Sequence, residues 1–490
     1  MRPPLPLREA GGGRRLSGGG RLLLLCLLLL LTPLAHAQPP LVVSSPPERA
    51  ALKLKGAFGY VHTATGTLPA LSTEPLEALI ARAERGEIRL AVVGEPLKGL
   101  PKLRRLRLMG KEIPESSAIT SPSTRTLGLI TAADLTGEGR PVEIVQGGLR
   151  QMRYLGHWFE AAEEAKVPVL VLWGALAGAG LALGVAALRK PKLVKAARSA
   201  LAVATAGTLA LLPAGLAPYA AAQIAMFFFA TLVIAVFSCP ERRPSAVTDI
   251  LQLFVGLIVL DTIFGWGMVA HSALSGYYDS GIRFYGIGNE YMGLLIGAAL
   301  MSVPKKWLGL VGAGIVLLLG LPMLGANAGG AMAACVAFFP PLKGKRWRVL
   351  FPFLVVAALA LLDRVQPGAV QSHIGQAAGK GASAWGEIIL RKLAMNARLT
   401  VAGPTLVAMV AVGVGGWQLK GLFARLDGEL KGRVVQGLWG AGAAIVFNDS
   451  GTVAALLLLA PVIVTCLDRA LRLTESKVSS GILTPGAERL

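Results

Sequence analysis

Two regimes of hydrophobic patterning divide this chain. Residues 38–165 alternate short apolar and polar stretches. There, 75–86 predicts a helix with Leu76, Leu79 and Ile80 on one face, and 88–93, 127–131 and 143–145 predict strands. From residue 167 onward, long apolar runs follow one another at 167–188, 199–214, 217–238, 247–270, 288–303, 307–324, 327–341, 349–362, 400–418, 434–447 and 451–467. Runs near twenty residues match a hydrocarbon layer of about 30 Å at about 1.5 Å per residue. Those at 288–303, 327–341 and 434–447 are shorter. The pattern predicts an α-helical polytopic membrane protein with about 11 transmembrane helices. A small N-terminal α/β extracytoplasmic domain precedes them.

The first 37 residues add a third regime. An Arg- and Gly-rich start, an apolar core at 22–31 and Ala35-His36-Ala37 describe a signal peptide cleaved before Gln38; an uncleaved anchor is the alternative. The expected organisation is then a signal peptide at 1–37, an extracytoplasmic α/β domain at 38–165, a multi-pass region at 166–468 and a cytoplasmic tail at 469–490.

Charge orients the helices. Arg189, Lys190, Lys192, Lys195 and Arg198 follow the first run, and every second connection after it is basic. The alternate connections near 215, 325 and 448 hold no Lys or Arg. By the positive-inside rule the N-terminal domain lies outside and the C-terminus inside, which suits a bacterial inner membrane. The outer connection 363–399 is an exception, with Arg364, Lys380, Arg391, Lys392 and Arg398. Its part at 384–399 reads as an amphipathic helix lying along the outer interface.

Composition agrees with a membrane protein. Apolar residues make up 53% of the chain and charged residues 16%. The net charge of +21 sits in clusters between apolar runs, with no basic stripe interleaved with aromatics, so nucleic acid is not an expected partner. The four cysteines lie in or beside apolar runs and read as small apolar fillers. No Cys/His spacing suggests zinc, and no cofactor is expected.

Four polar groups fall on the expected outer face. They are R-F-Y-G-I-G-N-E-Y-M-G at 283–293, G-A-N-A-G-G at 325–330, R-K-L-A-M-N-A-R-L at 391–399 and F-N-D-S-G at 447–451. Three of them open helices that run inward, with Asn289, Asn327 and Asn448, Asp449 or Ser450 as candidate N-caps. Helix N-termini suit anions. Arg283 and Arg398 would hold phosphate or carboxylate, Tyr285 and Asn396 would help to bind it, and Glu290 or Asp449 would act as acid or base. Each motif alone also reads as ordinary capping, since every helix end needs a cap. Asp261 is expected toward the same face.

Two stretches carry family resemblances. T-S-P-S-T-R-T-L-G-L-I-T-A-A-D-L at 120–135 resembles the end of alkaline-phosphatase-superfamily domains in bacterial membrane proteins, with 90–109 similar to that domain's terminal strand and loop. The domain is too short to hold that family's nucleophile and metal ligands, and His62 and Asp134 alone make no two-metal site, so the resemblance implies a truncated, inactive copy. The unrelated reading is an α/β domain with Arg125 and Asp134 as surface residues. R-x-x-G-x-x-N-x-x-x-G from Arg283 distantly resembles a segment of the O-antigen ligase and polymerase family, without its proline. The set F-Y-G-I-G-N-E-Y-M-G, R-K-L-A-M-N-x-R-L and N-D-S-G resembles an uncharacterised family of bacterial polytopic membrane proteins with an alkaline-phosphatase-like outer domain.

The resulting expectation is an envelope-biogenesis protein. It would bind, and transfer a group from, a phosphate-bearing membrane lipid or polyprenyl-linked glycan at the outer leaflet. A secondary transporter of an anionic small molecule and a non-catalytic scaffold are the alternatives.

Overall fold

The computed structural model describes residues 41–44, 57–63, 68, 70–114, 117–121, 123–124, 126–136, 141–146, 149–275, 284–341, 345–365, 382–418, 420–423 and 426–479. The signal-peptide stretch, Arg125 and Arg283 lie outside them, as does His373.

The N-terminal part is a mixed sheet. Its strands are β1 (Leu41–Ser44), β2 (Ala57–His62), β3 (Arg89–Leu97), β4 (Leu100–Met109), β5 (Ser117–Thr120), β6 (Leu129–Thr131) and β7 (Glu143–Gln146). They are ordered β1-β3-β4-β2-β5-β7, and β6 also pairs with β2. Helix α1 (Leu76–Arg85) lies on one face, where Leu79 and Ala83 meet Ile88, Leu90 and Val92. The stretch expected as a strand and a loop is a hairpin instead, β3 pairing antiparallel with β4. The reason is visible in β4: Leu103, Leu106 and Leu108 are buried while Arg104, Arg105 and Arg107 stay half-exposed. Side chains alternate along a strand, so Leu103 packs toward the bundle while Leu106 and Leu108 pack on the opposite face of the sheet, and β4 is held from both sides.

The motif at 120–135 builds a knot of side chains in this sheet. Asp134 is buried, not on the surface. Its carboxylate accepts from Ser121 Oγ (2.7 Å), Ser123 Oγ (2.5 Å) and the Thr131 amide (2.9 Å). Thr131 Oγ1 in turn accepts from the Asp134 amide at 3.2 Å. The carboxylate thus caps the one-turn helix α2 (Ala132–Thr136), a structural use of the motif's polar residues.

The helical part begins with α3 (Leu149–Arg189), which runs about 60 Å at 1.5 Å per residue. Residue 165, the expected domain boundary, falls inside this one helix. The following helices are α4 (Val194–Ala214), α5 (Ala220–Phe237), α6 (Ala246–Phe264), α7 (Asn289–Ser302), α8 (Lys305–Gly320) and α9 (Ala328–Phe338). Beyond them come α10 (Phe351–Val365), α11 (Ala382–Val401), α12 (Gly403–Gln418), α13 (Gly428–Phe447) and α14 (Gly451–Ser479). Among the described residues, five helices are long and apolar enough to cross a membrane: α3 to α6 and α14. Several of them leave large apolar side chains uncovered, such as Phe229 at 65% and Val171 at 64% exposure. Such a surface suits a hydrocarbon solvent.

Helix α7 is the centre of the bundle. Every residue from Tyr291 to Ser302 is buried. Gly293 and Gly297, four apart, let α14 approach directly: a Cβ at Gly297 would stand 2.2 Å from the Leu458 carbonyl oxygen, and one at Gly293 would stand 2.3 Å from that of Ala454. Small residues at this spacing are the usual means of close helix contact in a membrane.

Sheet and bundle share one core. Tyr60, Leu103 and Leu129 of the sheet pack with Leu155 and Phe159 of α3. Phe159 meets Tyr60 edge-on at 5.6 Å, and His62 meets Phe284 edge-on at 5.1 Å. Burial beside Gly156 pushes the Tyr60 phenol up to about 12, with Arg105 pulling it back. Phe284, just before α7, therefore sits directly under the sheet.

Candidate functional site

All four polar sequence groups meet at the sheet-side ends of α7, α9, α13 and α14. Asn327 is the N-cap of α9, its Oδ1 accepting from the Gly330 amide at 2.8 Å. Its Nδ2 donates to the Ile287 carbonyl (3.0 Å) and to Asn289 Oδ1 (3.1 Å). Asn289 Nδ2 passes the chain on to Ser450 Oγ at 2.8 Å. From the other side, Asn396 Nδ2 donates to the carbonyls of Ile445 and Asn448, both at 3.0 Å, and its Oδ1 accepts from the Thr452 amide at 3.0 Å. Thr400 and Thr452 share a hydroxyl contact at 3.2 Å.

Two glycines make this meeting possible. Gly286 adopts φ +84°, and a Cβ there would stand 2.2 Å from the Gly325 carbonyl oxygen, which also accepts from the Ile287 amide. At Gly329 a Cβ would lie 2.5 Å from both Asn448 Oδ1 and the Phe447 carbonyl oxygen. The motif glycines thus serve backbone-to-backbone contact between loops.

Individual assignments change. Asn289 is not an N-cap; Gly288 holds that position and Asn289 is the first helical residue. Asn448 is the C-cap of α13, and its Nδ2 donates to the Ala444 carbonyl at 3.2 Å. Its amide points back along α13 because the chain turns there before re-entering as α14. Arg398 is exposed, whereas Asn396 on the same helix is buried in the cluster. Two residues along a helix turn the side chain by about 200°, so both cannot face one site. Tyr285 is half-buried against the main core, and Glu290 and Asp449 are half-buried at the border of the cluster. Asp261 is buried and accepts from the Met268 and Val269 amides, both at 2.9 Å, closing the turn after α6.

Lys392 is a member that sequence reading did not single out. Its Nζ donates to the Phe447 carbonyl. Its position four residues before Asn396, on one helical face, was the available signal. Helix α11 also turns its apolar residues outward: Leu390 and Leu393 are 69% and 62% exposed while Asn396 is 7% exposed. That is the arrangement expected where lipid, not water, surrounds the helix.

The cluster is thus an uncharged amide network bordered by Lys392, Glu290 and Asp449. Its asparagines are largely engaged with backbone groups, as buried polar groups require. Comparison with protein-family models, curated proteins and solved structures finds no match to this chain.

Proposed function

We propose that this protein binds a phosphate-bearing lipid or polyprenyl-linked glycan at the membrane face beneath the sheet domain. The observation that carries this reading is the convergence of four sequence-distant polar groups on one end of the bundle. In this reading the asparagines are the frame and the charged groups at its border meet the ligand. Lys392 attracts phosphate, and Glu290 or Asp449 accepts the proton of the attacking hydroxyl as the phosphate-linked leaving group departs. The sheet domain stands outside the membrane of a bacterial cell envelope. The shorter helices complete a bundle of about 11 passes: α7 and α9 are buried within it, whereas α8, α10, α12 and α13 turn apolar side chains such as Leu310, Leu354, Val407 and Val446 outward. The resemblances to the outer-domain membrane family and to the O-antigen ligase family agree with this placement.

The test is substitution without loss of the frame. Glu290→Gln, Asp449→Asn and Lys392→Met are expected to express normally and to alter the profile of envelope glycolipids. Unchanged profiles in all three, with normal expression, would sink the reading.

A scaffold role is the second reading, favoured by the engagement of the asparagine amides with backbone carbonyls. Loss of function on deleting the sheet domain, with full function in the three variants, would select it. A transporter reading would require ligand passage through the buried α7 core.

A further inference from the structure

A second polar region lies at the other end of α7, about 20 Å from Asn289 by helix rise. Here a cavity of about 360 Å³ opens between the ends of α6 and α7, the start of α13 and the last turns of α14. That volume falls in the range of small-ligand sites, about 300–1,000 Å³.

Its walls carry both signs of charge. Arg433, Arg469 and Arg472 line it together with Asp427 and Glu429. Arg433 is 8% exposed, with Nη1 on the Leu300 carbonyl (2.7 Å) and Nη2 on Glu429 (2.7 Å). Arg472 leans on the buried Asp468, which Arg198 also holds at 3.3 Å. The loosest pair is Arg469 with Asp427, at 3.8 Å, and both are about half exposed. One wall group has no hydrogen-bond partner: the Thr465 hydroxyl oxygen is buried, on a residue only 8% exposed.

A simple anion in this space would face two carboxylates, and a simple cation would face three guanidinium groups. A group carrying both charges satisfies both. It can enter between Arg469 and Asp427, phosphate to the first and ammonium to the second, with no net charge buried. We propose that this cavity binds an aminophosphate group, a phosphate ester bearing a primary ammonium. The source is either an aminophospholipid headgroup at this membrane face or a soluble aminophosphate. The proposal is independent of the site beneath the sheet.

Native mass spectrometry and thermal unfolding of the full chain in detergent test it. The probes are phosphatidylethanolamine, phosphatidylglycerol, phosphatidylcholine and soluble phosphoethanolamine. Retention and stabilisation by phosphatidylethanolamine over the other two lipids are expected. Asp427→Asn and Arg469→Gln should each weaken its binding by about tenfold, the loss of one good polar contact. Asp427→Asn keeps the cap on the Leu430 amide, so its fold is secure. Binding of the lipid alone identifies the membrane as the source, and binding of phosphoethanolamine as well identifies the headgroup as sufficient. Equal retention of phosphatidylglycerol, wild-type retention in both variants, or binding of neither aminophosphate overturns the proposal.

Discussion

The two ends of α7 sit in polar surroundings of opposite design. At the first turn, Asn289, Asn327, Asn396 and Asn448 exchange neutral amide hydrogen bonds with one another and with backbone carbonyls. At the last turn, Arg433 takes the Leu300 carbonyl and pairs with Glu429, and a separate chain of guanidinium and carboxylate groups runs from Arg472 through Asp468 and Arg198 to Glu475. Both ends solve the same problem, which is to satisfy helix termini away from water. Amides do so without charge and can therefore be packed closed. Ion pairs require room and partial hydration, and at that end a cavity remains. Closed amide architecture lies under the sheet and a cavity at the far end, whereas conspicuous motifs mark only the former.

The strongest way to break the comparison is to remove what both ends depend on, the seating of α7 against α14. Gly297→Leu puts a side chain where the Leu458 carbonyl oxygen already lies and should abolish the monodisperse species in size-exclusion chromatography. Next, Asp468→Ala removes a carboxylate shared by two arginines and should cost about 3–5 kcal/mol, as breaking a buried charge pair does. Chemical unfolding in detergent would read it. At the amide end, Asn327→Ala loses one cap and two donated bonds and should cost about 2–3 kcal/mol. If Asn327→Ala proved more costly than Asp468→Ala, the contrast between the two ends would be reversed.

A smaller effect comes from the seam between sheet and bundle. The His271 ring stacks on Trp158 at 5.6 Å, and burial holds its pKa down to about 4 from the usual 6.5. The folded state then binds fewer protons than the unfolded one. Stability is therefore complete above about pH 6.5 and falls as pH drops toward 4, by about 1 kcal/mol at pH 5.5. A melting midpoint flat from pH 8 to 7 and declining below, with the decline lost in His271→Phe, is the expected result. Smallest of all, Arg398→Ala should shift stability by less than about 0.5 kcal/mol, because the side chain is exposed.

Much of the architecture was legible in the chain. Apolar runs located the helices, and the 75–86 periodicity located α1. Strands β1, β2, β4 and β5 escaped: β4 interleaves leucines with arginines, and β1, β2 and β5 are short stretches whose pairing partners lie far along the chain. The four polar groups were legible as groups, since Asn and Gly amid apolar sequence stand out. Their detailed roles were not. Whether Asn396 or Arg398 faces the cluster is decided by the rotation of α11 against α13 and α14. The far-end cavity was invisible in the sequence because Asp427, Arg433, Thr465 and Arg469 come from two helices and form no motif.

Where the chain is apolar, where it turns and which helix ends collect amides are local properties, carried by periodicity and residue type. The partner of each polar group is not local: Asp134 takes its serines, Asn327 takes Asn289 and Arg433 takes Leu300 only once the elements are packed. Hydrogen bonds and ion pairs across tens or hundreds of residues depend on how helices rotate and cross, and no local pattern encodes that.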